Sequence, residues 1–111
     1  MKTVEEMKAR FAQQIQDHNR IRDEVVAKMS KAWVEVLESM IGAAFESDVI
    51  RDTVSVSANR FDSPPPGQCR EEIELLASDI VVAHFMNLGF NATRLFSGST
   101  PHQRVEVTWG E

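Results

Sequence analysis

A chain of 111 residues, 42 % of them apolar, is long enough to fold as one domain. Its formal net charge of −5 argues against a general binder of nucleic acid or of anionic membranes, because both ligands attract a positive field. The single cysteine excludes an intramolecular disulfide, and no apolar run approaches the roughly 20 residues of a membrane span. We therefore expect a cytoplasmic protein that makes no contact with membranes.

The first 46 residues are predicted to be helical. Thr3 precedes Glu6 by three residues, which is the spacing of a capping box, and neither Gly nor Pro occurs before Gly42. Apolar residues recur at helical spacing along one face, from Val4 to Trp33 and beyond. One uninterrupted helix would be about 60 Å long, whereas the remaining residues would form a body only about 25–30 Å across.

Two arrangements would cover the apolar face of so long a helix. The helix either breaks at the polar segment 17–20 and folds back on its own chain, or it pairs with another chain. Its first half carries a narrow apolar stripe flanked by charges, as is typical of a helix at a dimer interface. We predict a homo-oligomer held by four residues of this stripe: Val4, Met7, Phe11 and Ile15.

A second helix is predicted over residues 68–88. Three prolines and Gly67 forbid an earlier start, and acidic residues crowd its first turn. Gly89 is placed to adopt the left-handed conformation that ends a helix, with Phe90 folding back onto the last turn. The spacing predicts an inner apolar stripe of Cys69, Ile73, Leu76, Ala77, Ile80, Ala83, His84 and Leu88.

Three segments alternate apolar and polar residues and are predicted to be strands: residues 53–58, 90–96 and 105–109. The last two form a hairpin whose polar tip is residues 97–103. The order of elements predicts an α+β fold in which N-terminal helices are followed by a strand, a helix and a β-hairpin. The three-stranded sheet would have the helices packed on one face. A single domain, 1–111, would contain a helical part, 1–46, and a strand-helix-hairpin part, 47–111.

No sequence motif specifies a catalytic, cofactor or metal site. The three histidines are far apart, and none has the spacing of a metal ligand with another His, Cys or carboxylate. Cys69 is predicted to be a packed side chain and not a reactive thiol, because Glu71 and Glu72 oppose a lowered thiol pKa. We predict no enzymatic activity and no cofactor. An enzyme whose site forms across a dimer remains an alternative.

A basic and aromatic cluster lies on both sides of the predicted hairpin tip. Such side chains hold single-stranded nucleic acid by stacking on bases and by contacting phosphates. The chain has few basic residues, which favours the simpler interpretation of a strand with one arginine whose side chain lies along it. The alternative function is therefore a single-stranded nucleic-acid binder that uses Arg94, Phe96, His102 and Arg104 of the C-terminal hairpin.

The chain closes with Leu88-Gly89-Phe90-Asn91-Ala92, a polar turn, and Val105-Glu106-Val107-Thr108-Trp109. This ending, about a third of the chain, resembles the close of small uncharacterised proteins of tailed bacteriophages. The resemblance implies an accessory or structural phage protein without enzymatic activity, whose partner would be a host or phage protein. Our leading prediction is a small, non-enzymatic protein-binding protein that associates with itself through its N-terminal helix.

Overall fold

The computed structural model describes residues 3–47, 52–61, 63–96 and 102–109. These residues form two helices and three strands in the predicted α+β order, and both helices contact the sheet. The tip residues 97–101 lie outside the described residues. The elements are α1 (Val4–Glu46), β1 (Thr53–Ser57), a 3-10 turn (Ala58–Arg60), α2 (Arg70–Asn87), β2 (Asn91–Phe96) and β3 (Gln103–Thr108).

The sheet has the strand order β1-β3-β2, and both pairings are antiparallel. Val107 of β3 lies between Val54 and Ala92, and Val105 lies between Val56 and Arg94. The valines and the alanine of these two rows are buried, so they form the face that packs on the helices. The opposite face carries serine, threonine and charged side chains that are exposed or half-buried, which confirms the predicted alternation in β1 and β3.

Helix α1 is continuous over 43 residues, so the break considered at residues 17–20 does not occur. Polar side chains of that segment interact with residues three or four positions away in the same helix. They do not cap the start of a second helix. Gln13 Nε2 donates to Asp17 Oδ1 at 3.1 Å, and Arg20 Nη2 lies 3.8 Å from the same oxygen. Thr3 and Glu6 form the predicted capping box at the start of α1.

The core lies between the second half of α1, α2 and the inner face of the sheet. Trp33 is completely buried, and its Nε1 donates a hydrogen bond of 3.1 Å to the carbonyl of Val56. This bond satisfies the indole N–H inside the core, which lets a large aromatic side chain join α1 to β1. The residues of α1 that are buried here are Val26, Met29, Ser30, Trp33, Leu37 and Ile41.

Helix α2 ends as the sequence predicts. Gly89 has φ +95°, its N–H donates to Met86 O, and the N–H of Phe90 donates to Phe85 O, both at 3.1 Å. The rings of Phe85 and Phe90 meet edge to face with centroids 5.9 Å apart. This is a complete Schellman ending with its hydrophobic contact.

The predicted inner stripe of α2 is wrong in part. Ile73 and Ala77 are buried, but Leu76, Ile80 and Leu88 are exposed. The buried face of α2 contains Glu74, Ser78, Val81 and Phe85 instead. Two polar residues can lie there because each is hydrogen-bonded within the protein, and Ser78 Oγ donates to Leu75 O at 2.7 Å. Cys69, predicted to be packed, is exposed because it precedes the first turn of α2.

Candidate functional site

The first four turns of α1 carry an apolar stripe with no cover from the described part of the protein. We call Val4, Met7, Phe11 and Ile15 the N-terminal stripe. Their exposed fractions are 67 %, 61 %, 64 % and 45 %. We call residues 4–17 the overhang and the rest of the described chain the body. The overhang gives the protein its longest dimension of 72 Å, against 30 and 20 Å in the other two directions.

The N-terminal stripe is on the same side of α1 as the core. Eleven residues of an α-helix turn through about 1,100°, which is only about 20° more than three full turns. Val4, Ile15 and Val26 are spaced by eleven residues, and so are Phe11, Arg22 and Trp33. Val26 and Trp33 are buried against the body. The overhang therefore extends the core-facing side of the helix beyond the point where the core stops.

Helix α2 and the loop before it mark the end of the body at the level of His18. Gln68 Nε2 donates to the carbonyl of His18 at 3.2 Å, and Arg22 Nη1 lies 3.2 Å from Glu72 Oε1. Hydrogen bonding to Asp23, together with the charges of Asp23 and Glu72, raises the pKa of the Arg22 guanidinium. Further along, His84 Nε2 is 3.4 Å from Glu38 Oε1. From the first of these contacts to the last, the residue numbers increase along α1 and along α2. The two helices therefore run in the same direction.

The overhang carries little net charge on an acidic protein. Residues 4–17 contain two basic and three acidic side chains, a formal charge of −1, whereas the whole chain has a formal charge of −5. The remainder of the chain thus carries most of the net negative charge. A surface of this kind does not attract a polyanion, and it repels a second copy of itself only weakly.

A second cluster surrounds a buried carboxylate in α2. The side chain of Glu74 is only 2 % exposed, and three donors surround it. Its Oε1 accepts the backbone N–H of Gln103 at 2.9 Å, while Oε2 lies 3.0 Å from His102 Nδ1 and 3.3 Å from Arg70 Nε. These bonds satisfy the carboxylate and attach the start of β3 to α2. In the sequence, Glu74 is one of several acids near the start of α2, and no spacing there predicts this role.

An open cavity of about 220 Å³ adjoins this cluster, with Met29, Phe61 and Asn59 among its lining residues. A carboxylate at Nδ1 fixes the orientation of the His102 ring, as in many general-base pairs. Among the described residues, however, no hydroxyl or thiol is hydrogen-bonded to either ring nitrogen. The described geometry is therefore that of a clamp between α2 and β3.

The residues predicted to contact nucleic acid do not form one patch. Arg94 faces α2, where its Nη1 is bonded to Asp79 Oδ1, and His102 is bonded to Glu74. Arg104 lies on the opposite face of the sheet, and its Nη1 donates to Ser55 Oγ at 2.7 Å. Phe96 pairs with Gln103 in the register of β2 and β3. The sheet thus separates the two arginines of the predicted cluster.

No protein-family model, curated protein or solved structure matches this chain. The likeness of the last third of the sequence to phage proteins accordingly stays a prediction. In the described ranges, no helix is both long and apolar enough to span a bilayer. Nor do three or more His, Cys, Asp or Glu side chains of those ranges converge as metal ligands would.

Proposed function

We propose that this protein acts by binding a protein partner through the N-terminal stripe, and that its first partner is a second copy of the same chain. The observation that carries the proposal is the exposure of Val4, Met7, Phe11 and Ile15 on the core-facing side of α1. Contiguous exposed apolar patches on soluble proteins commonly mark interaction sites, which favours that role for this row of four large apolar residues. The host or phage partner suggested by the resemblance would be bound by the assembled form.

A second copy fits this surface for two physical reasons. An isologous dimer places the same patch of each subunit against the other, so stripes of equal width and length cover one another. The overhang has a formal charge of only −1 and adds little repulsion between copies, although the two bodies are both acidic. A basic partner would be drawn to the acidic body instead, and nucleic acid would find no positive field on the overhang.

The burial energy of the N-terminal stripe is comparable to the cost of association. Its side chains are between 45 % and 67 % exposed, so the further burial of each would contribute about 1–2 kcal/mol. The eight side chains of two copies together contribute on the order of 8–16 kcal/mol. Association costs about 4–15 kcal/mol in lost freedom of motion. A weak to moderate dimer is the expected result.

The test is the molar mass of the protein in solution, measured by sedimentation or light scattering over a range of concentrations. We expect the wild type to be a dimer at high micromolar concentration. Phe11→Glu combined with Ile15→Glu should give a monomer, because it places charges in the interface. This variant should keep its helical circular dichroism and its cooperative unfolding, since both positions lie outside the body.

The matched control is Ala12→Glu combined with Gln16→Glu. These two residues are also exposed, have the same spacing of four, and lie more than a quarter turn around the helix from the centre of the N-terminal stripe. This variant adds the same charge outside the stripe, so it should remain a dimer. A wild type that stays monomeric at high micromolar concentration would overturn the proposal. So would equal loss of dimer in the two double variants.

A further inference from the structure

The position of the body along α1 limits how two overhangs can pair. From His18 onward, the side of α1 that continues the N-terminal stripe is covered by α2 and by the sheet. Trp33 and Leu37 on that side are completely buried. A partner helix following the N-terminal stripe past this level would meet α2 and the sheet of the first copy.

In a parallel pair of overhangs, the partner helix would collide with α2 and the sheet of the first copy. Paired helices lie about 8–10 Å apart, and in a parallel pair both helices would enter their bodies at the same level. The body of each copy occupies the space next to its own α1 on the paired side. The two bodies would then compete for the same volume from about residue 18 onward.

An antiparallel pair avoids the collision. In that arrangement the partner helix runs from the level of Ile15 down to the free start of α1, and its own body follows beyond that start. The overhang has a suitable length, because Val4 and Ile15 are about 16 Å apart along the axis at ~1.5 Å per residue. Aligning Val4 with Ile15 of the second copy brings the second copy's His18 just beyond the start of the first copy's α1. Each body then begins close to the start of the other copy's α1.

We propose that two chains form a two-fold symmetric, antiparallel dimer through residues 4–17, with Val4 of each copy opposite Ile15 of the other. This inference rests on the proposed self-association and specifies its geometry. The same register brings Met7 within one residue, about 1.5 Å along the axis, of the level of Phe11 of the second copy. The two branched side chains, Val4 and Ile15, thus meet at the ends of the contact, and the two longer ones lie side by side in its middle. The bodies lie at opposite ends of the dimer, which leaves both sheets accessible to a further partner.

The test is site-directed disulfide formation between single-cysteine proteins. The native thiol of Cys69 is exposed, so Cys69→Ser is first introduced into every variant. Val4→Cys and Ile15→Cys proteins, made with tags of different size, are mixed, equilibrated and oxidised mildly. A disulfide needs Cα atoms within about 7 Å, which opposed positions meet and positions about 16 Å apart along the axis do not.

We expect the mixed disulfide between positions 4 and 15 to exceed either homodisulfide by roughly ten-fold, because only this pair meets the required distance. The control mixture replaces Ile15→Cys by Gln16→Cys, which turns the thiol away from the partner, and should give little mixed product. Homodisulfides 4–4 and 15–15 in a dimeric protein would overturn the antiparallel geometry but leave self-association intact. A dimer by mass that forms none of these disulfides would also overturn it. A monomeric wild type would overturn both proposals.

Discussion

The carboxylate of Glu74 in α2 lies 3.0 Å from Nδ1 of His102, at the beginning of β3. The same side chain accepts the next backbone N–H, that of Gln103, at 2.9 Å. Arg70, one turn earlier in α2, supplies a third donor. A single buried acid therefore determines where the chain enters the central strand of the sheet, although 28 residues separate it from its histidine partner.

Replacing Glu74 should destabilise the protein more than replacing either acid of the first turn of α2. Glu74→Ala leaves the N–H of Gln103 and the side chains of His102 and Arg70 without their acceptor, so we expect a loss of about 3 kcal/mol in the free energy of unfolding. Urea denaturation measures it. The control is Glu71→Ala, an exposed acid in the first turn of α2, which should cost less than about 1 kcal/mol. Equal losses in both variants would contradict the clamp.

Two glycines should respond to alanine with opposite signs. Gly89 has φ +95°, where a side chain is strained, so Gly89→Ala should lower the free energy of unfolding by about 1 kcal/mol. Gly42 lies inside α1 with open space around an added Cβ, so Gly42→Ala should raise it by about 0.5–1 kcal/mol. Thermal and urea unfolding of both variants measure this. A destabilised Gly42→Ala protein together with an unchanged Gly89→Ala protein would contradict the helix assignments.

Local signals in the sequence were sufficient for the fold class and for several boundaries. The capping box at Thr3, the glycine stop at Gly89 and the alternation around Val54 and Val107 each depend on residues a few positions apart. Their physical causes act within one turn or one strand pair, and sequence neighbours reveal them. The N-terminal stripe also followed from the sequence, but its exposure was only one of two arrangements that the small size of the body allowed.

Long-range pairing was beyond the sequence. The apolar residues of α2 support two overlapping stripes, and His84 is the polar residue of the one through Leu76 and Ile80. The observed face contains Glu74 and Ser78, and its burial depends on donors that come from β3. No periodicity reveals that an acid will find a partner 28 residues later. The one available signal was the regular step of four through Ile73, Ala77, Val81 and Phe85.

Arg94 and Asp79 should be coupled weakly. Their side chains are 37 % and 62 % exposed, and exposed ion pairs contribute about 0–1 kcal/mol. A double-mutant cycle of Arg94→Ala and Asp79→Ala should therefore give a coupling below about 1 kcal/mol in urea denaturation. The coupling should decrease further in about 1 M salt, because salt screens exposed charges. A coupling of several kcal/mol that resists salt would show that the pair is shielded from water.

The last prediction concerns the alternative function, binding of single-stranded nucleic acid. Arg94 and His102 are engaged by acids on α2, and Arg104 lies on the other face of the sheet. We therefore expect no measurable binding of a labelled single-stranded oligonucleotide at about 50 mM salt, where phosphate contacts are strong. Arg104→Glu should leave the melting temperature nearly unchanged, because its side chain is exposed. Binding that falls steeply with added salt and is lost in the Arg104→Glu variant would contradict this expectation. It would also identify the outer face of the sheet as a nucleic-acid surface.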